Sequence, residues 1–258
     1  MRSEAGGLAN DAWKRTIKRM ELDNRPPYKI RKPLTADEIH SEANKRVSLI
    51  NKEFAEGFEF IKQFKKSVTF FGSSMLREDS PYYEKAKELA GRLAKKGYVV
   101  VTGGGPGIME AANRGAFEAG GTSVGLNIFL PEEQAPNPYL THDHIFHYFF
   151  SRKVALTYAA EAYIYFPGGY GTLDEFFEII TLMQTERIPK TILVLFGKEF
   201  WAPFDEFIKK HLYEKHGVID EMSTKLYHVC DNEDEIERAI LSVPVIDSIP
   251  FKGNHGHY

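Results

Sequence analysis

The sequence predicts an α/β fold: a doubly wound parallel sheet with helices on both faces, plus an N-terminal helical extension. Short apolar runs alternate with longer amphipathic stretches from Ser67 onward. The runs are apolar throughout, which marks strands buried on both faces. Turns rich in glycine follow several of them, where strand gives way to helix. That βαβα rhythm belongs to parallel sheets with crossover helices.

Taken in order, residues 1–34 are polar and broken by Arg25-Pro26-Pro27 and Lys32-Pro33, which predicts a mobile arm with one short helix around Trp13 to Met20. Thr35-Ala36-Asp37-Glu38 has the form of a capping box. Behind it Ile39, Val47, Ile50, Phe54, Phe58 and Ile61 recur at helical spacing, so residues 35–66 read as an amphipathic helical extension. Residues 67–258 form the main domain. Its strands are expected at Val68–Phe71, Tyr98–Val101, Thr122–Ile128, Ala162–Phe166, Thr191–Phe196 and Leu226–Val229. Helices are expected at Ser80–Lys96, Gly107–Ala119, Ser151–Glu161, Leu173–Glu186 and Phe200–Lys215. Ser80-Pro81 is a favourable start, a cap followed by proline in the first turn. Pro131–Leu140 reads as a loop.

Composition narrows the function. The chain has 258 residues and a net charge of −3, against the basic character expected of a protein that coats nucleic acid. Its single cysteine, Cys230, excludes an intrachain disulfide and fits a reducing compartment. No apolar run reaches membrane-spanning length, and the first residues lack the apolar core of a secretory signal. A cytoplasmic protein that does not engage a membrane is the expectation.

Ligands of open α/β sheets bind beyond the carboxyl ends of the strands. The candidate turns there are Phe71-Gly72-Ser73-Ser74, Thr102-Gly103-Gly104-Gly105-Pro106-Gly107-Ile108-Met109-Glu110, and Phe166-Pro167-Gly168-Gly169-Tyr170-Gly171-Thr172-Leu173-Asp174-Glu175. Glycines at a strand-to-helix turn let backbone N–H groups approach an anion, and the helix dipole favours it. No lysine follows either glycine cluster in phosphate-loop register, and neither cluster completes GxGxxG. ATPase and dinucleotide-dehydrogenase readings are therefore weak. A carboxylate, Glu175, is expected in the first turn of the helix that grips the anion, with Thr172 as its cap. Arg152 and Lys153 supply the opposite charge.

These segments together resemble the LOG family of Rossmann-like phosphoribohydrolases, often mislabelled lysine decarboxylases. The resemblance rests on Gly103 to Glu110, Ser151-Arg152-Lys153, and the motif Pro167-Gly168-Gly169-Tyr170-Gly171-Thr172-Leu173-Asp174-Glu175. It implies hydrolysis of the N-glycosidic bond of a nucleoside 5′-monophosphate, AMP or a cytokinin ribotide, to free base and ribose 5-phosphate. It implies Arg152 and Glu175 as catalytic residues. It assigns Gly168, Gly169, Gly171 and Thr172 to the phosphate loop, and Gly104, Gly105, Gly107 and Glu110 to a second nucleotide-facing loop. Lys153 and Ser73 complete the candidate substrate-binding set. No cofactor or metal is implied, and a homodimer or higher homo-oligomer is. Tyr148-Phe149-Phe150-Ser151 stands where plant-like members have Met-His-Glu before Arg-Lys, and the long N-terminal extension resembles bacterial members.

Other readings carry less. His142 and His144 share a face if their segment is extended and His147 points away from it, short of the convergent ligands zinc requires; a loop bordering the pocket is the expectation. His255 and His257 belong to a frayed tail. Cys230 reads as a buried small residue rather than a nucleophile. No lysine stands out for a Schiff base, against a pyridoxal-phosphate decarboxylase. The alternative on the same fold is a non-catalytic nucleotide or cofactor carrier, which has no need of a carboxylate beside the anion.

Overall fold

A computed structural model describes residues 35–129 and 135–242. The arm (residues 1–34), part of the Pro131–Leu140 loop, and the tail with His255 and His257 lie outside the described residues, as does the side chain of Glu38 on which the capping box rests. The chain divides into two units, residues 1–47 and 48–258. Helix α1 (Ala36–Ile61) begins in the first, where its described side chains are exposed, and continues into the second.

The second unit holds β1 (Ser67–Phe71), α2 (Pro81–Lys95), β2 (Val99–Thr102), α3 (Ile108–Glu118), β3 (Ser123–Ile128), β4 (His142–Phe146) and α4 (Phe149–Tyr158). It continues with β5 (Ala162–Tyr165), α5 (Tyr170–Gln184), β6 (Ile192–Phe196), α6 (Lys198–Phe207), β7 (His228–Cys230) and α7 (Glu233–Ser242). The seven strands form one sheet in the order β4-β3-β2-β1-β5-β6-β7, and every pairing is parallel. The doubly wound fold holds. The chain fills one half outward from β1, then crosses back to lay β5 on the other side of it. The switch in strand order therefore falls between β1 and β5, the position where such sheets bind ligands.

The two central strands, β1 and β5, are buried at every residue because both faces are covered. Successive side chains point to opposite sides. Val68, Phe70, Ile164 and Phe166 pack with Leu89 and Leu93 of α2, Ala112 of α3 and Ile236 of α7. Phe71, Tyr163 and Tyr165 pack with Leu156 of α4, Phe176 and Ile179 of α5, and Trp201 of α6. Burying each such side chain contributes about 1.5–3 kcal/mol. Helix α2 starts as expected: Ser80 Oγ accepts from Tyr82 N at 3.3 Å with Pro81 in the first turn. Helices α2 and α3 approach closely because Gly115 lacks a side chain; a Cβ there would sit 2.0 Å from Lys87 O.

Four expectations need correction. Residues 142–146 are a strand, not a loop. As an edge strand, β4 leaves His142, Asp143 and Ile145 exposed, so it lacks the fully apolar signature of the interior strands. Strand β7 starts at His228, because Ser223–Lys225 first makes a short 3₁₀ turn. Phe200–Lys215 is two segments: α6, then a π-helical stretch at Ile208–Lys215. Helix α7 was not anticipated. Asn232 starts it, its Oδ1 accepting from Asp234 N at 3.0 Å and Glu235 N at 3.1 Å, and Arg92 of α2 holds it through Asp234 and Glu237.

Candidate active site

Three strand ends meet at the switch point. Gly72 and Ser73 leave β1, Gly103 leaves β2, and Pro167 to Gly169 leave β5. Ser73 N donates to Pro167 O at 3.0 Å, which ties the first end to the third. Between them opens a cavity of about 380 Å³. Its polar lining includes Ser73, Ser74, Arg152, Lys153, Thr172, Asp174 and Glu175, with the backbones of Gly169 and Gly171. Its apolar wall is Phe71, Met75, Met109, Phe149 and Leu156.

The N-terminus of α5 forms one side. Its cap residue is Gly169, with no side-chain capping bond. The first N–H groups of a helix have no intrahelical partner, so those of the Gly169–Thr172 turn are available to a ligand. A Cβ on Gly169 or Gly171 would meet only open space. Packing does not require glycine there, whereas close approach of an anion to the backbone does. Gly168 has a steric reason instead, since its Cβ would fall 2.1 Å from Thr172 Oγ1. Two sequence readings are corrected: Thr172 is third in the helix and is not its cap, and Glu175 is sixth, in the second turn.

Glu175 is aimed by its neighbour. Phe176 is fully buried and packs edge-on against Tyr165, Phe204 and Tyr227. Tyr165 Oη donates to Glu175 O at 3.2 Å. With that face of α5 fixed, Glu175 is held against the cavity, 8% exposed. Its Oε2 is buried with no hydrogen-bond partner among the described residues. Burial raises its pKa to about 7, although Lys153 and Arg152 pull it down. A buried carboxyl with one empty acceptor and a pKa near neutrality is the signature of a working group.

Arg152 is the fourth residue of α4, which begins at Phe149, two residues earlier than expected. Its Nε donates to Leu126 O at 2.6 Å and its Nη2 to Gly103 O at 3.2 Å. The guanidinium thus bridges β3 and the end of β2. Burial lowers its pKa and Glu175 raises it. Gly103 makes this seat possible, since a Cβ there would lie 2.2 Å from Arg152 Nη2. Lys153 Nζ sits 2.8 Å from both Asp174 Oδ2 and Glu178 Oε2. Burial lowers the Lys153 pKa, and those carboxylates more than offset it.

The cavity brings together Ser73, Arg152, Lys153, Gly169, Gly171, Thr172 and Glu175. Gly104, Gly105, Gly107, Glu110 and Gly168 do not line it. Gly104 (φ +70°) and Gly107 (φ +73°) serve the backbone: a Cβ would meet Asn127 Oδ1 at 2.1 Å and Ser73 O at 2.4 Å, respectively. Gly105 O accepts from Asn137 Nδ2 at 3.1 Å. Glu110 accepts from Tyr83 Oη at 3.1 Å and borders a separate groove with Arg77 and Asn137. Sequence reasoning did not single out Gly103 or the apolar wall of Met75, Met109, Phe149 and Leu156. Gly103 and Met109 belong to the glycine-rich run from Gly103 to Glu110, and Phe149 to the segment before Arg152, whereas Met75 and Leu156 carry no motif. His142 meets Phe64 edge-on and His144 stacks on Phe60, and among the described residues no three His, Cys, Asp or Glu converge. Cys230 is buried, and burial raises its thiol pKa. No described helix is long and apolar enough to cross a membrane.

The Glu175 shift makes a stability prediction. A carboxyl with a higher pKa folded than unfolded binds its proton more tightly in the folded state. Its contribution is complete below the ordinary value of 4.5 and is lost as pH rises through about 7. Glu175→Gln removes that loss. Urea unfolding at pH 8 should show the variant more stable than wild type by about 2–4 kcal/mol, with the gap closing near pH 4.

Residues 109–240 match the family model described as "Possible lysine decarboxylase". A cytokinin riboside 5′-monophosphate phosphoribohydrolase of Rhodococcoides fascians is 30% identical over 69% of this chain and 89% of its own length. The crystal structure of a structural-genomics target, TM1055, superposes with a TM-score of 0.53 at 29% identity, over 69% of this chain and 99% of that one. The molybdenum cofactor carrier protein of Chlamydomonas reinhardtii shares the fold at 21% identity and TM-score 0.51, over 69% and 96%. With the glycine-rich turn, the buried glutamate and the arginine meeting in one cavity, and with relatives of this kind, the chain belongs to the LOG family, the family that the "Possible lysine decarboxylase" model describes.

Proposed function

We propose that the protein hydrolyses the N-glycosidic bond of a nucleoside 5′-monophosphate, AMP or a cytokinin ribotide, releasing free base and ribose 5-phosphate. The observation that carries this reading is the unpartnered Oε2 of Glu175, buried in the same cavity as the open amides of the Gly169–Thr172 turn and the Arg152 guanidinium. The amides bind the phosphate. That remote grip supplies binding energy and fixes the ribose. The apolar wall of Met109, Phe149 and Leu156 suits a planar base.

In the reaction the C1′–N bond breaks and its electron pair goes to the base. Positive charge develops at C1′ and the ring oxygen, as in glycoside hydrolysis. Ionised Glu175 stabilises that charge and orients water, whose oxygen bonds C1′ and whose proton is lost to the carboxylate. Arg152 keeps further N–H groups to bind the base and its developing negative charge. With a guanidinium pKa ordinarily above ~12 it is a poor acid, so the leaving nitrogen takes its proton through water. We place the enzyme in the cytoplasm as a homodimer or higher homo-oligomer, with a second copy covering the exposed rim at Phe149 and Phe150. A carrier on this fold would have no use for a desolvated carboxyl beside the bound anion.

The test incubates purified protein with nucleoside monophosphates and the matching nucleosides, following free base by chromatography. Monophosphates should be cleaved at least about 100-fold faster than nucleosides, because the phosphate grip is spent on positioning. Equal cleavage of both, or no release from any nucleotide, would refute the proposal.

A further inference from the structure

The helical extension reaches the site through one carboxylate. Glu53 of α1 is buried. It accepts from His147 N at 2.7 Å and Tyr148 N at 3.0 Å. It also bonds Ser151 Oγ and lies 3.2 Å from His147 Nδ1. Burial pushes its pKa up, and the bonds from Ser151, His147 and Tyr148 outweigh it, so it sits below the ordinary value. These partners form the N-terminal edge of α4, whose own cap residue, Tyr148, makes no side-chain capping bond. An anion there satisfies amides that the helix leaves open and complements its dipole.

The grip falls immediately before Arg152. Ser151 is the preceding residue, and Arg152 N itself bonds Tyr148 O at 3.2 Å. The same helix packs Phe54 on Phe150 and Phe58 on Tyr158, with ring centroids 6.1 Å and 5.8 Å apart. Both ends of α4 are thereby held by α1, and the end carrying Arg152 is held by charge. Gly57 allows the close approach: a Cβ there would lie 2.8 Å from the Phe146 ring.

We propose that Glu53 is a positioning residue for Arg152: it anchors the N-terminus of α4 and fixes the place from which the guanidinium reaches Leu126 O and Gly103 O. The kinetic consequence rests on the hydrolase reading; the structural one does not. In the full chain, Glu53→Gln keeps the size but offers a single acceptor oxygen to several donors. It should lower kcat on the cleaved monophosphate by about 10–100-fold while KM stays within about threefold. Glu53→Asp should recover part of the loss. In an Arg152→Ala background, Glu53→Gln should cost nothing further, as expected for coupled residues. Hydrogen exchange over residues 147–153 should quicken while the central strands stay protected. A Glu53→Gln protein with wild-type kcat and a lowered Tm, a full additional loss in the Arg152→Ala background, or unchanged exchange over 147–153 would overturn the proposal. If wild type releases no base from any nucleotide, the hydrolase reading falls, and the exchange measurement alone decides whether Glu53 anchors α4.

Discussion

Glu175→Gln is expected to reduce base release by about 1000-fold or more while leaving nucleotide binding within a few-fold of wild type. Carboxylates acting as general base and as electrostatic partner of a developing cation are each worth about 10²–10⁴-fold. The substitution removes both roles with almost no change in shape. The amides of the Gly169–Thr172 turn are untouched, so the phosphate keeps its grip. Calorimetric titration with a nucleoside monophosphate, beside single-turnover assays, separates the two effects. The wild-type rate should also rise with pH through about 7, where Glu175 ionises, and the residual rate of the variant should lack that limb. Normal turnover in the variant would remove Glu175 from the mechanism. Burial of this carboxyl thus carries two linked consequences: lower stability at high pH and higher activity there.

Gly103→Ala should have the next largest effect, through a single methyl group. The new Cβ would fall 2.2 Å from Arg152 Nη2 and 2.8 Å from Met109 Sδ, so both side chains must yield. The arginine has little room to do so, because its Nε is committed to Leu126 O and its Nη2 to Gly103 O. Displacement of a catalytic group by about 1 Å can cost about 100-fold, and a loss of that size in kcat is expected. The displaced atoms are the far ends of flexible side chains, so the fold should survive with a melting temperature lowered by only a few degrees. Melting curves and kcat on the same preparation check this. Wild-type kcat would show that catalysis does not need the arginine in this seat.

What could be read in the sequence follows from where burial and backbone geometry leave marks. The five interior strands are legible because they are buried on both faces, and the helix-length connections between them leave room for parallel crossovers. Strand β4 is not legible: as an edge strand it leaves His142, Asp143 and Ile145 exposed. Helix α7 is announced only by one Asn232 cap, which is common in turns as well. At the site, Glu175, Thr172 and Arg152 stand in specific motifs, whereas Met75 and Leu156 are ordinary apolar residues in the sequence. The middle glycine loop shows the limit most clearly. Its glycines look interchangeable in one dimension, yet Gly103 clears space for an arginine while Gly104 and Gly107 adopt positive φ against Asn127 and Ser73. Glu53 lies among exposed neighbours on a helix rich in charge, and nothing local separates it from Glu56 or Glu59.

The most direct test of the whole account is a crystal structure of the Glu175→Gln protein bound to AMP. The phosphate should lie on the backbone amides of Gly169 to Thr172, the base against Met109 and Phe149, and C1′ should face residue 175. A nucleotide with its phosphate seated elsewhere, or with residue 175 turned away from the sugar, would contradict it.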